Sequence, residues 1–570
     1  MADKELFSIF GEKNGPEPET VGKMYDKARA FNDAIGLDDT VRTNENFFIG
    51  KQWEGVQSNG LPTPVFNILK RDVCFIVSTI TSDNLKIQAT PLAATPNTQQ
   101  LIEPARIFTE ECEAIMERIG IVGLIREFAR DAAVRGDGCL YTYWDADADT
   151  GTEAKGAICA EVIENTRVYF GNPNDRRVQS QPYIQIESRV FVSELRRRAK
   201  ENGSADWENI VPDDDNTAPD PEKRTDDKAT LLLTMWKNRE TGTVWMYECT
   251  GKVEVRAAWD SGIKRYPILW LNWDYVHDSY HGQAMITGLI PNQIFINKIW
   301  AMSMLSIMTT AYPKVIYDKS RITKWTNRIG EAIGVNGGDI TTAARIIDPA
   351  SISPQIAQFI ELAVEHTNQN LGATSVALGD TRPDNTSAII ALQRAAATPS
   401  ELTKQNLHRC IEDLALIFLD FMSEYYGVRI IDTETPAELD AVYQFIGQEI
   451  PGEIPTEFDF AVFKNMPMQM KLDVGASSYY SEIASIQTLD NLLMQNKITV
   501  VQYLERIPDG YIPDRRGLLN ELKRQQSAMM GMPMGGGAPG QQITETGAEP
   551  EIPTGGGYAA LQRKINSGEA

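Results

Sequence analysis

The residues best placed for chemistry are two histidines four apart. His277 and His281 stand with Asp274 and Asp278 in the run Trp273–Gly282. On a helix that spacing puts both imidazoles on one face, where they could hold a metal. The surrounding aromatic, Asp and Gly residues read instead as a strand running into a loop, so no metal is expected. Three consecutive acids, Asp213–Asp215, could attract a cation. They lack the Gly-centred loop and the following Glu of a calcium site, and a solvated loop is expected. Gly-Lys pairs begin at Gly22, Gly50 and Gly251, but Met24, Gln52 and Val253 follow them. A phosphate-gripping loop needs Ser or Thr there. The chain contains no G-x-S-x-G and no H-E-x-x-H. Gly334, Gly337 and Gly338 indicate a turn and nothing more. His366 and His408 read as residues of helix surfaces or the core. The carboxylates are dispersed, and no pair stands out for acid–base work. The expectation is a chain with no catalytic residue, cofactor or metal.

The charge balance narrows the partners. The net charge of −23 argues against a protein that wraps nucleic acid by neutralising phosphates, since that needs clustered Lys and Arg. It is compatible with a wall past which DNA slides without sticking, and equally with plain solubility. Six cysteines are scattered without a C-x-x-C pair, and no secretory signal opens the chain. They are expected to be reduced and mostly internal. Residues 283–312 are strongly apolar, with Lys298 the one formal charge. Pro291, Asn292, Gln293 and Asn297 interrupt the run, so a helix buried on most of its circumference is expected rather than a membrane span.

These residues need a scaffold of 570 residues, 42% of them hydrophobic. Apolar spacing predicts helices over 20–37, 65–81 and 98–134, the last bent at Gly120 and Gly123. Asn44–Trp53 adds Phe47, Phe48 and Trp53 beside glycines. Strands are expected at Leu140–Trp144, Ile158–Val162, Arg167–Phe170, Tyr183–Ile186, Leu231–Trp236, Val244–Tyr247 and Ile268–Trp273. A long apolar helix at 284–310 ends at Pro313. Two short strands, Lys314–Asp318 and Arg345–Asp348, bracket a helix at Ser320–Ile329 and a turn at Asn336–Asp339. Ser353-Pro354 opens another helix, stopped at Gly372. A very long helix over 386–426 is kinked at Pro399 and capped again by Ser400. Its second half carries the stripe Leu407, Ile411, Leu414, Ile417, Phe421 and Tyr425. Short strands occupy 427–476, and two or three helices fill 478–526. From Ser527 the composition is that of a linker.

This order of elements resembles the portal proteins, or head-to-tail connectors, of tailed double-stranded DNA bacteriophages. The residues that carry the resemblance are Asn46–Trp53, the Asn67-containing helix, Arg135-Gly136-Asp137-Gly138, Tyr280-His281-Gly282 and, most specifically, Asp380–Gln393. The resemblance covers roughly residues 20–525. It implies an α+β portal fold assembled as a ring, usually of twelve subunits. Residues 1–19 are then a flexible arm, 20–282 a wing, 283–311 a first stem helix, 312–352 a clip and 353–374 a second stem helix. Residues 375–388 form a tunnel loop, 389–476 the kinked helix and the rest of the wing, 477–526 helical crown, and 527–570 a disordered tail.

The resemblance also implies a passive role. The ring is expected at one capsid vertex of the virion, assembled in the host cytoplasm, with double-stranded DNA passing through it. Gly379, Asp380, Thr381, Arg382, Pro383, Asp384 and Asn385 are expected to face that DNA. Arg382 could touch phosphate briefly while Asp380 and Asp384 weaken the grip, or it could form a salt bridge within the ring. Trp325, Arg328 and Glu331 are expected to bind partners at the clip. The implied partners are further copies of the chain, the terminase large subunit, major capsid and scaffolding proteins, and a head–tail adaptor, with no membrane. Two other readings are a DNA-processing enzyme, such as a nuclease or packaging ATPase, and a membrane pore subunit motivated by Gln283–Tyr312.

Overall fold

The computed structural model describes residues 10, 15–58, 60, 62–82, 85–92, 98–150, 155–213, 227–311, 315–326, 328, 331–346, 354–370, 400–434, 453–466, 468–473, 486, 489–495, 497–507, 518–519 and 522. The chain divides into two compact units, Met1–Ser481 and Glu482–Ala570.

The first unit begins with α1 (Pro18–Ala34), α2 (Leu37–Ile49) and α3 (Ile68–Ile80). The single helix expected at 20–37 therefore stops early. Gly36 adopts φ 63°, a left-handed conformation that costs glycine little, and α2 starts beyond it. Asn44–Ile49 belongs to α2. Strand β1 (Lys86–Pro91) precedes α4 (Thr98–Arg118) and α5 (Ile121–Arg135). The bend expected near Gly120 is a full break, because that glycine is also left-handed at φ 64°.

Two antiparallel sheets follow. The smaller has the order β3 (Ala157–Ile163), β2 (Asp137–Asp145), β9 (Ile268–Asn272). The larger runs β4 (Val168–Phe170), β5 (Tyr183–Phe191), β6 (Lys228–Lys237), β7 (Val244–Cys249), β8 (Glu254–Asp260). Helix α6 (Val192–Glu201) leaves β5, and its Leu195 and Ala199 bury a small second core with Ile210 and Val255. Neither β8, β1 nor α6 was expected.

The excursion that follows β9 consists of α7 (Ile290–Ala311), β10 (Val315–Tyr317), β11 (Ala344–Ile346) and α8 (Pro354–Asn370). β10 and β11 lie where two short strands were expected, and they pair antiparallel. The helix expected at Ser320–Ile329 is not formed by its described residues. Asp318 instead accepts from the Ser320 amide and hydroxyl, closing a turn. Arg321 then reaches across to the carbonyls of Gly337 and Asp339. The β-branched Ile322, Thr323 and Thr326 offer little helical preference to resist this.

The chain returns through α9 (Glu401–Phe421), whose expected stripe is buried at Leu407, Ile411, Leu414, Ile417 and Phe421. Ser400 occupies the position before this helix, but its hydroxyl makes no capping bond. The first-unit strands end with β12 (Val428–Glu434) paired to β13 (Glu453–Asp459), and β14 (Met468–Asp473) paired back to β1. The main core joins α3, α4, α5 and α9 to both sheets through residues such as Val73, Phe108, Phe128, Leu140, Leu414 and Phe418. Within the second unit, α10 (Val500–Arg506) opens with a reciprocal Thr499–Gln502 capping box. Tyr503 donates to Asp490 at 2.7 Å.

Candidate functional site

The polar residues that interrupt the apolar run turn out to be its root. Gln293 and Asn297 lie one turn apart on α7 and are buried. Gln293 donates to Asn297 at 3.0 Å and to the Phe66 carbonyl at 2.6 Å, and accepts from the Ile68 amide at 3.2 Å. Asn297 donates to Gln52 at 2.6 Å, and Gln52 donates to the Phe47 carbonyl. Asn67 caps α3 through the Lys70 amide and holds the Phe48 carbonyl at 2.8 Å. Asn44 reaches Thr287, and Trp300 stacks on Phe66 with centroids 4.5 Å apart. The motif Asn46–Trp53 is thus a socket for the helix that begins 240 positions later. Each buried amide here would cost about 1–3 kcal/mol if left unpaired, so the socket admits one register of α7.

A second knot sits where β2 begins. Asp137 is fully buried. It accepts from the Gly282 amide and the Asn272 amide group, both at 2.7 Å, and from Asn165 at 3.3 Å. His281 Nδ1 lies 2.7 Å from the same carboxylate, and Nε2 lies 3.2 Å from Asn32 Oδ1. A carboxylate orienting a histidine is half of a nucleophilic triad. Here the outer ring nitrogen meets an amide oxygen, not a hydroxyl or thiol, and only 3% of the His281 side chain is exposed. The pair positions backbone. Gly136, at φ 102°, allows the close approach: a Cβ there would meet the Gly282 carbonyl at 2.7 Å. Arg135–Gly138 and Tyr280–Gly282 are therefore two sides of one contact. His277 is exposed at the tip of the same loop and does not join His281. Among the described residues no group of three or more His, Cys, Asp or Glu is placed to hold a metal. Asp213 caps β6 by accepting from Thr230, while Asp214 and Asp215 lie outside the described residues.

Beyond its root the pair α7–α8 changes character. Asn292, near the start of α7, donates to Thr367, near the end of α8, so the two rods run antiparallel. Their outer faces are apolar and open. Phe295, Met302, Leu305, Ile307 and Met308 are exposed on α7, as are Phe359 and Leu362 on α8, with Met302 reaching 70%. No helix among the described residues is long and apolar enough to cross a membrane.

At the far end, Trp325 stacks on Tyr317 with centroids 5.6 Å apart. Thr326 donates to Glu331 at 2.7 Å, and the Glu331 amide reaches the Arg328 carbonyl. The three residues expected to bind partners thus share one loop, with Arg328 and Glu331 exposed and Trp325 half-buried. Hydrogen bonds from Ser320 and Thr341 hold the Asp318 and Asp339 carboxyls below the ordinary carboxylate range. The expected DNA-facing residues Gly379–Asn385, the stop at Gly372 and the kink at Pro399 lie outside the described residues. So does the tail from Ser527.

The geometry is that of a chain with a large apolar core and an apolar rod left open. Residues 172–435 match the family model of the phage P22-like portal protein. That span runs through β5 to β8 of the large sheet, both rods and the insert between them. The match supports a phage portal protein, the family that the sequence motifs resemble. No curated protein matches the chain.

Proposed function

We propose that the chain is a portal subunit that forms a ring with copies of itself, twelve in number, around a channel for double-stranded DNA. The single observation that carries this reading is the open apolar face of α7 and α8, on a chain whose wing core is otherwise closed. Full burial of a Met, Leu, Ile or Phe side chain is worth about 1.5–3 kcal/mol, and lateral packing of identical rods supplies it. In that ring the wing lies outermost and the insert Val315–Ile346 projects as the clip. Gly379–Asn385 face the DNA, with Arg382 meeting phosphate transiently between Asp380 and Asp384. The acidic chain lets DNA slide rather than bind.

The role is passive. The terminase large subunit, a separate motor, docks on the clip during packaging, and a head–tail adaptor takes its place for joining and ejection. Capsid and scaffolding proteins hold the ring at one vertex of the virion. Mass photometry and negative-stain microscopy of the full chain test the assembly. Annular particles of twelve subunits are expected; a chain that stays a 63.5 kDa monomer at micromolar concentration overturns it. Replacing Trp325, Arg328 and Glu331 together is expected to block packaging while rings still form, and unchanged packaging removes the clip assignment.

A further inference from the structure

The ribbon β12–β13 is a sheet of two strands, and its register tells its faces apart. Ile431 and Phe458 lean on the main core. Paired residues of a ladder share a face, so Val428 and Ile430 lie on the opposite one with their partners Asp459 and Glu457. There Val428 is 62% exposed and Ile430 66%, and both carboxylates are exposed as well. Asp459 accepts from the Ala461 amide at 2.9 Å. Among the described residues Glu457 makes no hydrogen bond or ion pair. The cations nearest in sequence are engaged elsewhere. Arg429, on the other face, lies over the Tyr426 ring, 3.5 Å from the centroid, and Lys464 pairs with Glu424 at 2.7 Å.

The two edges also differ. The Phe460 amide donates to the Gly427 carbonyl, so these residues open the ladder as a hydrogen-bonded pair. Alternation then gives the bonds to β13 to Arg429, Ile431 and Thr433, and turns the backbone groups of Val428, Ile430 and Asp432 outward. On β13 the outward positions include Pro455, which has no amide to offer a further strand. Among the described residues no strand pairs with the free edge of β12, and β12 carries neither Pro nor Lys, the usual guards of an edge.

We propose that the free edge of β12 takes an extended segment of a partner protein as a third strand, with Lys or Arg at alternate positions on the open face. Main-chain bonds hold such a strand and its alternate side chains select it. Neighbouring strands lie about 4.8 Å apart, so the third stands roughly 10 Å from β13. A Lys or Arg side chain crosses that distance over Val428 and Ile430. Its aliphatic stem covers them, and its charged end reaches Glu457 and Asp459. One residue type thus answers both features of the face. A second copy of the ribbon does not. β12 and β13 carry Asp432, Glu434, Glu453, Glu457 and Asp459 against the single Arg429, so two ribbons would set like charges side by side. The same acids turn away the phosphates of a nucleic acid.

The test uses the full chain and a fluorescein-labelled acetyl-Thr-Arg-Val-Arg-Val-Arg-Thr-amide peptide, followed by anisotropy. Glu457→Lys is expected to weaken binding by roughly tenfold, the effect of losing a close interfacial charge pair. The control Glu240→Lys makes the same change at an exposed position elsewhere and is expected to leave binding unchanged. Ile430→Pro removes an outward amide while leaving the bonds to β13, and is expected to weaken binding by a similar factor. A peptide of the same composition with its three arginines contiguous is expected to bind more weakly. Equal weakening by Glu457→Lys and Glu240→Lys overturns the proposal in favour of diffuse attraction to an acidic protein. Equal binding of the two peptides, or unchanged binding to Ile430→Pro, overturns strand addition. A change in the particle mass of the peptide-free chain on Ile430→Pro overturns it in favour of a contact between copies. Undetectable binding of the peptide to the unaltered chain overturns it outright. Thermal melts verify that each variant keeps the fold; should Ile430→Pro melt early, Glu457→Lys and the peptide pair decide.

Discussion

The wing and the rods solve opposite problems with the same few residue types. In the wing, the key polar side chain at the start of β2 is buried and paired: Asp137 alone collects three protein donors and His281. In the rods beyond Asn297, apolar side chains are exposed and unsatisfied, with Met302, Ile307 and Met308 all more than half open. The wing closes a large core within one chain, and the rods leave an apolar face open. The two characters meet within the single helix α7, where Gln293 and Asn297 are buried while Phe295 and Met302 are not. Buried amides fix where the helix points, and open hydrophobics leave its neighbours to be supplied.

Four measurements break or sharpen that contrast. The largest effect is expected at the β2 knot. Asp137→Ala leaves His281, Asn272 and the Gly282 amide without their shared acceptor, and about 3–5 kcal/mol of wing stability is expected to go. Urea denaturation followed by wing tryptophans reads this, and a loss under 1 kcal/mol would show that the knot is incidental. Next, Met302→Glu combined with Ile307→Glu is expected to convert rings to monomers in mass photometry. The wing melting temperature stays put, because neither side chain touches the wing core. A fall in that temperature would erase the distinction between the regions.

The third change acts at the boundary itself. Asn297→Leu keeps the branched skeleton but leaves the Gln52 side-chain oxygen unpaired, a cost of about 1–3 kcal/mol. Wing stability is expected to drop by that amount, and α7 amides near Asn297 are expected to exchange faster. The smallest effect is on pH dependence, and it has opposite signs in the two regions. Asp318 and Asp339 have lowered folded-state pKa values, so their contribution is present above the ordinary carboxylate range and lost as pH falls through the folded value. Glu248 has a raised one, so its contribution is present below that range and lost as pH rises. Acidification below about pH 4 is therefore expected to loosen the Ser320 and Thr341 amides relative to their intrinsic exchange. Between neutral pH and about pH 4 the stability gained by Glu248→Gln is expected to shrink.

Much of this was legible in the residues, for identifiable reasons. The stripe on α9 and the alternation in the central strands are local patterns, and they survive into the fold. The glycines at 36 and 120 were visible, but their left-handed conformation, which turns a bend into a break, was not. The helix expected at Ser320–Ile329 failed because Arg321 finds acceptors sixteen and eighteen positions away, and spacing alone does not reveal long-range partners. The same limit hid the socket. Gln293 and Asn297 stood out as polar residues in an apolar run, and Gln52 stood out in its motif. Nothing local said that Asn297 and Gln52 meet across 245 positions. β8 was not foreseen because the alternation of Glu254–Ala257 is short and breaks at Ala257-Ala258-Trp259. The Asp137–His281 contact was missed because His281 was weighed against its neighbour in sequence, His277.

The pairing of β1 with β14 sets a timetable for the nascent chain. Lys86 lies against Asp473, so a strand made early waits for one made nearly four hundred residues later. Contacts between such distant positions form slowly, and until they do β1 offers a bare edge to any passing strand. The greasy rods emerge from the ribosome during this wait, before their wing is sealed. A cell making the protein quickly therefore holds a pool of half-closed chains, for which a folding helper or an early encounter with sister subunits decides between assembly and clumping.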